Sequence, residues 1–240
     1  MQAGMFSFAI GHFNKSAVGS GATTNGDAFV IGNGTGSSAL SNAFRVTYSG
    51  IVYGKSAYQS SGADYAEYFE WQDSNPNNED RRGYFVTMDE KMIRIAQPGD
   101  YILGIVSALP SVIGNGDEDW RNRYIYDEFG SYIEEEFECQ EEVTDKETGE
   151  IITVTKIGTR WKENPDYDPT IPYIQRADRP EWDAIGMVGV LAVRDDGTCQ
   201  VNSYCKVAAG GIATATDSDE RYTYRVIERV NDHVVKVIFK

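Results

Sequence analysis

The chain is poor in cysteine, histidine, proline and positive charge. Its 240 residues hold three Cys, two His, seven Pro and 22 Lys plus Arg, against 37 Asp plus Glu. Cys139, Cys199 and Cys205 are odd in number and lack metal-ligand spacing, which excludes a disulfide framework and a zinc site. At most Cys199 and Cys205 could pair; the reading adopted is reduced, buried or half-buried thiols in a chain made in a cytoplasm. His12 and His233 are far apart and no Ser or Cys sits in a nucleophile elbow, which excludes a Ser-His or Cys-His triad. A net charge of −15 argues against nucleic acid and anionic membranes as partners, since both attract Lys/Arg clusters. No apolar run approaches the roughly 18 residues of a membrane-spanning helix. The N-terminus lacks a basic segment followed by a long apolar run, so no signal peptide is expected. The glycines of residues 32–36 are followed by no Lys-Ser/Thr, so they form no phosphate loop. Neither a metal nor a cofactor is expected.

What is present is distributed unevenly. Residues 1–62 carry only Lys15, Asp27, Arg45 and Lys55, a net charge of +2, and 11 of the 24 glycines. Residues 63–240 therefore carry −17. Such a shift marks a domain boundary, and the expected division is a glycine-rich segment over 1–57 followed by a domain over 58–240, long enough to bury its own core.

Phe6–Gly11, Ala28–Gly34 and Asn42–Tyr48 read as short strands, and the first two share the form aromatic-x-Ile-Gly at a spacing of about 21 residues. Strands and glycine turns at a repeating interval predict a β-roll or β-solenoid coil. One or two such coils cannot bury their apolar face alone, so packing against other subunits is implied. Residues 28–54 resemble the fibrous β segments of trimeric phage spikes and bacterial adhesin heads. Further on, strands are predicted at Tyr84–Thr87, Met92–Ile95, Tyr101–Val106, Ile151–Thr155, Ala184–Arg194, Cys199–Tyr204, Tyr222–Glu228 and His233–Phe239. Residues 116–142 show no clear period, and Lys146–Glu150 reads as a hairpin tip. The fold class is mainly β: a glycine-rich β-roll or β-solenoid stub, then a mixed, mostly antiparallel domain.

At the seam lies Ser61-Gly62-Ala63-Asp64-Tyr65-Ala66-Glu67-Tyr68-Phe69-Glu70-Trp71. Two carboxylates three residues apart, preceded by small residues, suit peptide hydrolysis. One activates water or attacks, and the other protonates the leaving amine or polarises the carbonyl. Burial beside aromatic residues would raise one pKa. On a helix or turn the i and i+3 side chains share a face; on a flat strand they do not, and the working pair must then come from a bulge or from two subunits. The competing reading is a capping box, with Asp64 starting a helix and Glu67 completing it. Weaker candidates are Ser60 and Ser61 as acyl-shift nucleophiles and Lys55 as an oxyanion partner. Glu134-Glu135-Glu136 with Glu138, Glu141 and Glu142 could gather a cation, but a solvated acidic face is the better account. Asp117-Glu118-Asp119 lacks the ligand spacing of an EF-hand.

This junction resembles a known family, together with Glu79–Thr87, Pro98–Ser107 and Asn115–Trp120. It is similar to the autoproteolytic intramolecular-chaperone domain of the pre-neck appendage spikes of phi29-like phages, a glutamic-type self-cleaving peptidase, over roughly residues 58–240. The resemblance implies an intertwined homotrimer whose partners are its own copies and the fibre segment ahead of it. It implies synthesis in a host bacterial cytoplasm, location on a virion appendage, Asp64 and Glu67 as the catalytic carboxylates, and cleavage of the Ala63–Asp64 bond. A non-cleaving receptor-binding tip of a fibre or adhesin is the alternative; a hydrolase with an external substrate lacks any further recognisable site.

Overall fold

The computed structural model describes residues 7–15, 26–116, 122–144, 149–217 and 221–240. The chain divides into two compact units, Met1–Ser60 and Ser61–Lys240. Among the described residues it is a β protein, with no α-helix and a single 3₁₀ turn at Arg176–Asp178.

The first unit is one sheet of β1 (Phe8–His12), β2 (Asp27–Asn33), β3 (Asn42–Thr47) and β4 (Val52–Gly54) in that order. β1 and β2 run parallel, and the sequence repeat falls in register, with Phe8 beside Phe29, Ile10 beside Ile31 and Gly11 beside Gly32. Phe8 and Phe29 stack at 5.8 Å. Buried Asp27 pairs with Arg45 at 2.8 Å. Phe8, Ile10, Phe13, Leu40, Ile51 and Val52 remain exposed, so a single copy leaves much of the apolar surface of this sheet uncovered.

The second unit is built on a ten-stranded sheet with a main path β14-β13-β15-β16-β12-β8-β6-β7. Its members are β5 (Asp64–Glu70), β6 (Phe85–Asp89), β7 (Met92–Ile95), β8 (Gly104–Val106), β9 (Val112–Gly114), β12 (Trp182–Arg194), β13 (Tyr204–Val207), β14 (Ala213–Thr216), β15 (Tyr224–Asn231) and β16 (Val234–Phe239). β5 lies beside this path, antiparallel to β12 and parallel to β9. Successive side chains of a strand point to opposite faces, and here both faces are covered. Phe85 and Ile105 join a cluster with Leu191, Val193, Val226 and Val237. Their neighbours Val86 and Val106 join Trp71, Ile93 and Ile185 in a second cluster. β6 and β8 are thus buried on both sides, which makes this region the rigid centre against which β12 and β5 are laid.

A separate two-stranded arm pairs β10 (Glu134–Thr144) with β11 (Ile151–Trp161), and β10 takes up the last part of the stretch that shows no clear period in the sequence. Its tip lies largely outside the described residues, as does Asp117-Glu118-Asp119. Two sequence expectations need correction. Cys199–Tyr204 is not a strand. Asp195 and Asp196 accept backbone hydrogen bonds from Cys199 and Thr198, and Asn202 takes a left-handed conformation (φ 66°), so pairing resumes only at Tyr204. In 101–106 the ladder is confined to Gly104–Val106. Cys199 and Cys205 are buried and unbridged. A hydrogen bond to Cys205, together with burial, pushes the Cys199 thiol up.

Candidate functional site

Asp64 opens β5, so the helix-capping account of Asp64 and Glu67 falls. The segment is extended, and inward and outward positions alternate: Asp64 and Ala66 are buried, Tyr65 is exposed. Glu67 therefore projects on the face opposite Asp64. There it accepts a 2.5 Å hydrogen bond from the Tyr65 hydroxyl and lies over Gly114 of β9.

Asp64 is only 5 % exposed. Its Oδ2 is buried and has no hydrogen-bond partner. It sits against Gly186 of β12, where a Cβ would fall 2.7 Å from Oδ2 and 2.4 Å from Leu191 Cδ2. Burial raises the Asp64 carboxyl above the usual carboxylate range, and a hydrogen bond with the Ser107 side chain offsets part of the rise. A carboxyl in such a setting holds its proton further toward neutrality and can act as an acid.

The peptide ahead of Asp64 is fixed at three successive carbonyls. Gly62 O accepts from Ser111 Oγ at 2.5 Å, Ala63 O from the Val190 amide at 3.2 Å and Asp64 O from the Ser111 amide at 2.7 Å. The segment Ser61–Asp64 also lines an open cavity of about 770 Å³, together with Ser107–Leu109, Val190–Asp195, Arg82, His233 and Lys236. The Ala63–Asp64 peptide is thus held in an extended form, beside a buried carboxyl and at the edge of this open cavity.

A model of the IMC autoproteolytic cleavage domain (Peptidase_G2) matches residues 16–233. The chain belongs to this family. A pre-neck appendage protein of Bacillus phage B103 is 36% identical to this IMC autoproteolytic cleavage domain over 157 residues, 65% of the chain and 16% of the phage protein. The crystal structure of the pre-mature bacteriophage phi29 gene product 12 is similar over 83% of this chain and 24% of its own, with 27% identity and a TM-score of 0.63. The phi29 gene product 12 C-terminal fragment is matched over its full length and 74% of this chain, at 31% identity and a TM-score of 0.53. The chain spans about a sixth of the length of the curated relatives it matches.

The other residues singled out by sequence fall elsewhere in the cleavage domain and its leading unit. Lys55 donates to Ser41 Oγ at 2.7 Å within the first unit. His12 lies in that unit and His233 on the cavity of the second. Ser61 lines the cavity, while Ser60 belongs to the first unit. Glu135 pairs with Arg160 and Glu141 with Lys156 along the arm. Among the described residues no three His, Cys, Asp or Glu come together as metal ligands do. Sequence reasoning missed Ser107, Ser111, Gly186, Gly189 and Val190. One signal was present: two glycines three apart inside a predicted strand mark a bulge or a close backbone approach.

Proposed function

We propose that residues 61–240 are a self-cleaving chaperone domain that drives assembly of a trimeric phage appendage and then severs the Ala63–Asp64 bond, using Asp64 as acid and Glu67 as base. The observation that carries this reading is the buried, partnerless Oδ2 of Asp64, the residue immediately after Ala63, in a chain whose family is one of autoproteolytic cleavage domains. Appendage location follows from the names of the relatives.

In the reaction, water adds to the Ala63 carbonyl carbon as a Glu67 carboxylate takes its proton. Asp64 then gives its proton to its own peptide nitrogen as the C–N bond breaks. Ala63 leaves as a carboxyl and Asp64 as a free amine. Within one chain, Glu67 lies on the opposite face of β5 and about 10 Å along the strand. The base therefore comes from a second copy, reaching the bond through the cavity. A trimer is supported by the apolar surface exposed on the first unit, which closure against neighbouring copies would cover.

Co-expression of differently tagged Asp64→Asn and Glu67→Gln chains tests this arrangement on denaturing gels. Each variant alone is expected to stay whole, while wild type gives pieces of 63 and 177 residues. Together, the Glu67→Gln chain is cut, because its intact Asp64 meets a neighbour's Glu67, and the Asp64→Asn chain is not. Mixed assemblies in which neither is cut overturn the between-copies arrangement. Cutting of Glu67→Gln alone overturns the acid–base assignment, and a wild type that never cuts favours a structural tip.

A further inference from the structure

Peptide hydrolysis by two carboxylates leaves one requirement unmet: the negative charge that develops on the carbonyl oxygen needs a donor. We infer that the backbone amide of Val190, exposed to the Ala63 carbonyl by Gly189 and held in register by Ser111, is that donor. The inference rests on Ala63–Asp64 being the bond that is cut.

The geometry is local and specific. β12 runs antiparallel to β5 but breaks register between Gly186 and Val188, where Met187 is the extra residue. A bulge bends its strand and re-aims the residues beyond it. Gly189 comes next, at φ +131°, a conformation that L side chains rarely adopt. A Cβ there would fall 2.4 Å from Ala63 O and 2.7 Å from Asp64 Cα, so only glycine lets the two backbones come this close. The result is the Val190 N–H directed at Ala63 O at 3.2 Å. That is slightly long for the ground-state carbonyl. It can shorten as the carbon becomes tetrahedral and the oxygen takes on charge, which is how a donor stabilises the transition state more than the substrate.

Ser111 supplies the hold. Its hydroxyl binds the carbonyl before the bond, Gly62 O, and its amide binds the one after it, Asp64 O. The scissile carbonyl is thereby fixed between two anchored neighbours and cannot swing away from Val190. Ser111 is a positioning residue; the Val190 amide touches the reacting atom.

The test measures cleavage after pulse-labelled cell-free synthesis of the full chain, as a first-order rate across pH, with the N-terminus of the larger piece sequenced. Gly189→Ala is expected to slow cleavage ~100-fold, the loss seen when one such donor is removed, with the pH profile lowered but unmoved along the axis. Ser111→Ala, which keeps its amide, is expected to slow it about tenfold with the same profile, a smaller loss than removal of the donor itself. A wild-type rate in Gly189→Ala with the cut still at Asp64 overturns the inference alone. So does a loss that is only a displaced pH profile, since that would mean Gly189 acts through the ionisation of Asp64. If Gly189→Ala fails to assemble on sedimentation, the Ser111→Ala rate decides, and a wild-type value there overturns the inference. A larger piece that begins elsewhere than Asp64 overturns the underlying reading of the bond and the inference with it.

Discussion

Asp64 is a carboxyl whose ionisation the fold opposes, and this has a thermodynamic signature separate from any cleavage. Its folded pKa lies above its unfolded one, with burial as the main cause. Its contribution to stability is therefore complete below about pH 4, the ordinary carboxylate pKa, and is lost as pH rises through the raised folded value. Asp64→Asn in a Glu67→Gln background should leave the urea midpoint unchanged at pH 3.5 and raise it at pH 7. Equal midpoints at both pH values would show that the buried carboxyl is not strained. Asp80 has the opposite sign. Arg82 holds it down at about 2, so its contribution is present above pH 4 and is lost toward pH 2. At this scale the sequence singled out Asp64 but was silent on how its carboxyl is set. The run Ala63-Asp64-Tyr65 shows small, acidic and aromatic neighbours. It does not show that Gly186 and Leu191, more than 120 residues away, make the pocket that denies Oδ2 a partner.

Strands were legible where turn chemistry bounded them and one face was apolar. Met92–Ile95, between Glu90-Lys91 and the Gln97–Asp100 turn, begins and ends where the sequence predicts. The predicted Ala184–Arg194 extends by two residues. Of the arm, the returning strand from Ile151 was legible, but β10 was not, because its glutamates occupy both faces. Glu134, Glu136 and Glu138 lie across from Trp161, Thr159 and Ile157, while Glu135 and Glu141 share the other face with Phe137, Cys139 and Val143. The alternation of Phe137, Cys139 and Val143 is masked by these glutamates. Nor could β5 be separated from a helix start by its i, i+3 carboxylates; pairing with β12 settled it. The arm also makes a prediction. A lone two-stranded ribbon adds little to the stability of a sheet it does not join. Its base is closed by Lys162 N donating to Ile133 O at 2.8 Å. Replacing residues 135–160 with an Asn-Gly turn, which keeps Trp161 stacked on Tyr132, should therefore change the unfolding free energy of the remaining domain by no more than about 0.5 kcal/mol, the range of surface changes. Circular dichroism against urea measures it, and a loss of several kcal/mol would mean that the arm is part of the core.

The whole molecule is strongly acidic, and association of identical copies must work against that charge. At about 10 mM salt the screening length is near 30 Å, and it falls below 10 Å above 0.1 M. The proposed trimer is expected to tighten as salt rises, measured by sedimentation equilibrium of the Glu67→Gln protein; dissociation in salt would point to an interface held by opposite charges instead. The anchoring of the junction also governs how the two pieces part once the bond is broken. Proteases ordinarily nick exposed, mobile loop tips, whereas this peptide is anchored on both sides before any cut. If the cut falls at the proposed Ala63–Asp64 bond, the Ser111 hydroxyl on Gly62 and the Val190 amide on Ala63 would still grip the new carboxyl end. A covalent link becomes a two-bond latch. Scission and separation would then be distinct events with distinct clocks, the lifetime of that latch setting how long the two proposed pieces stay together.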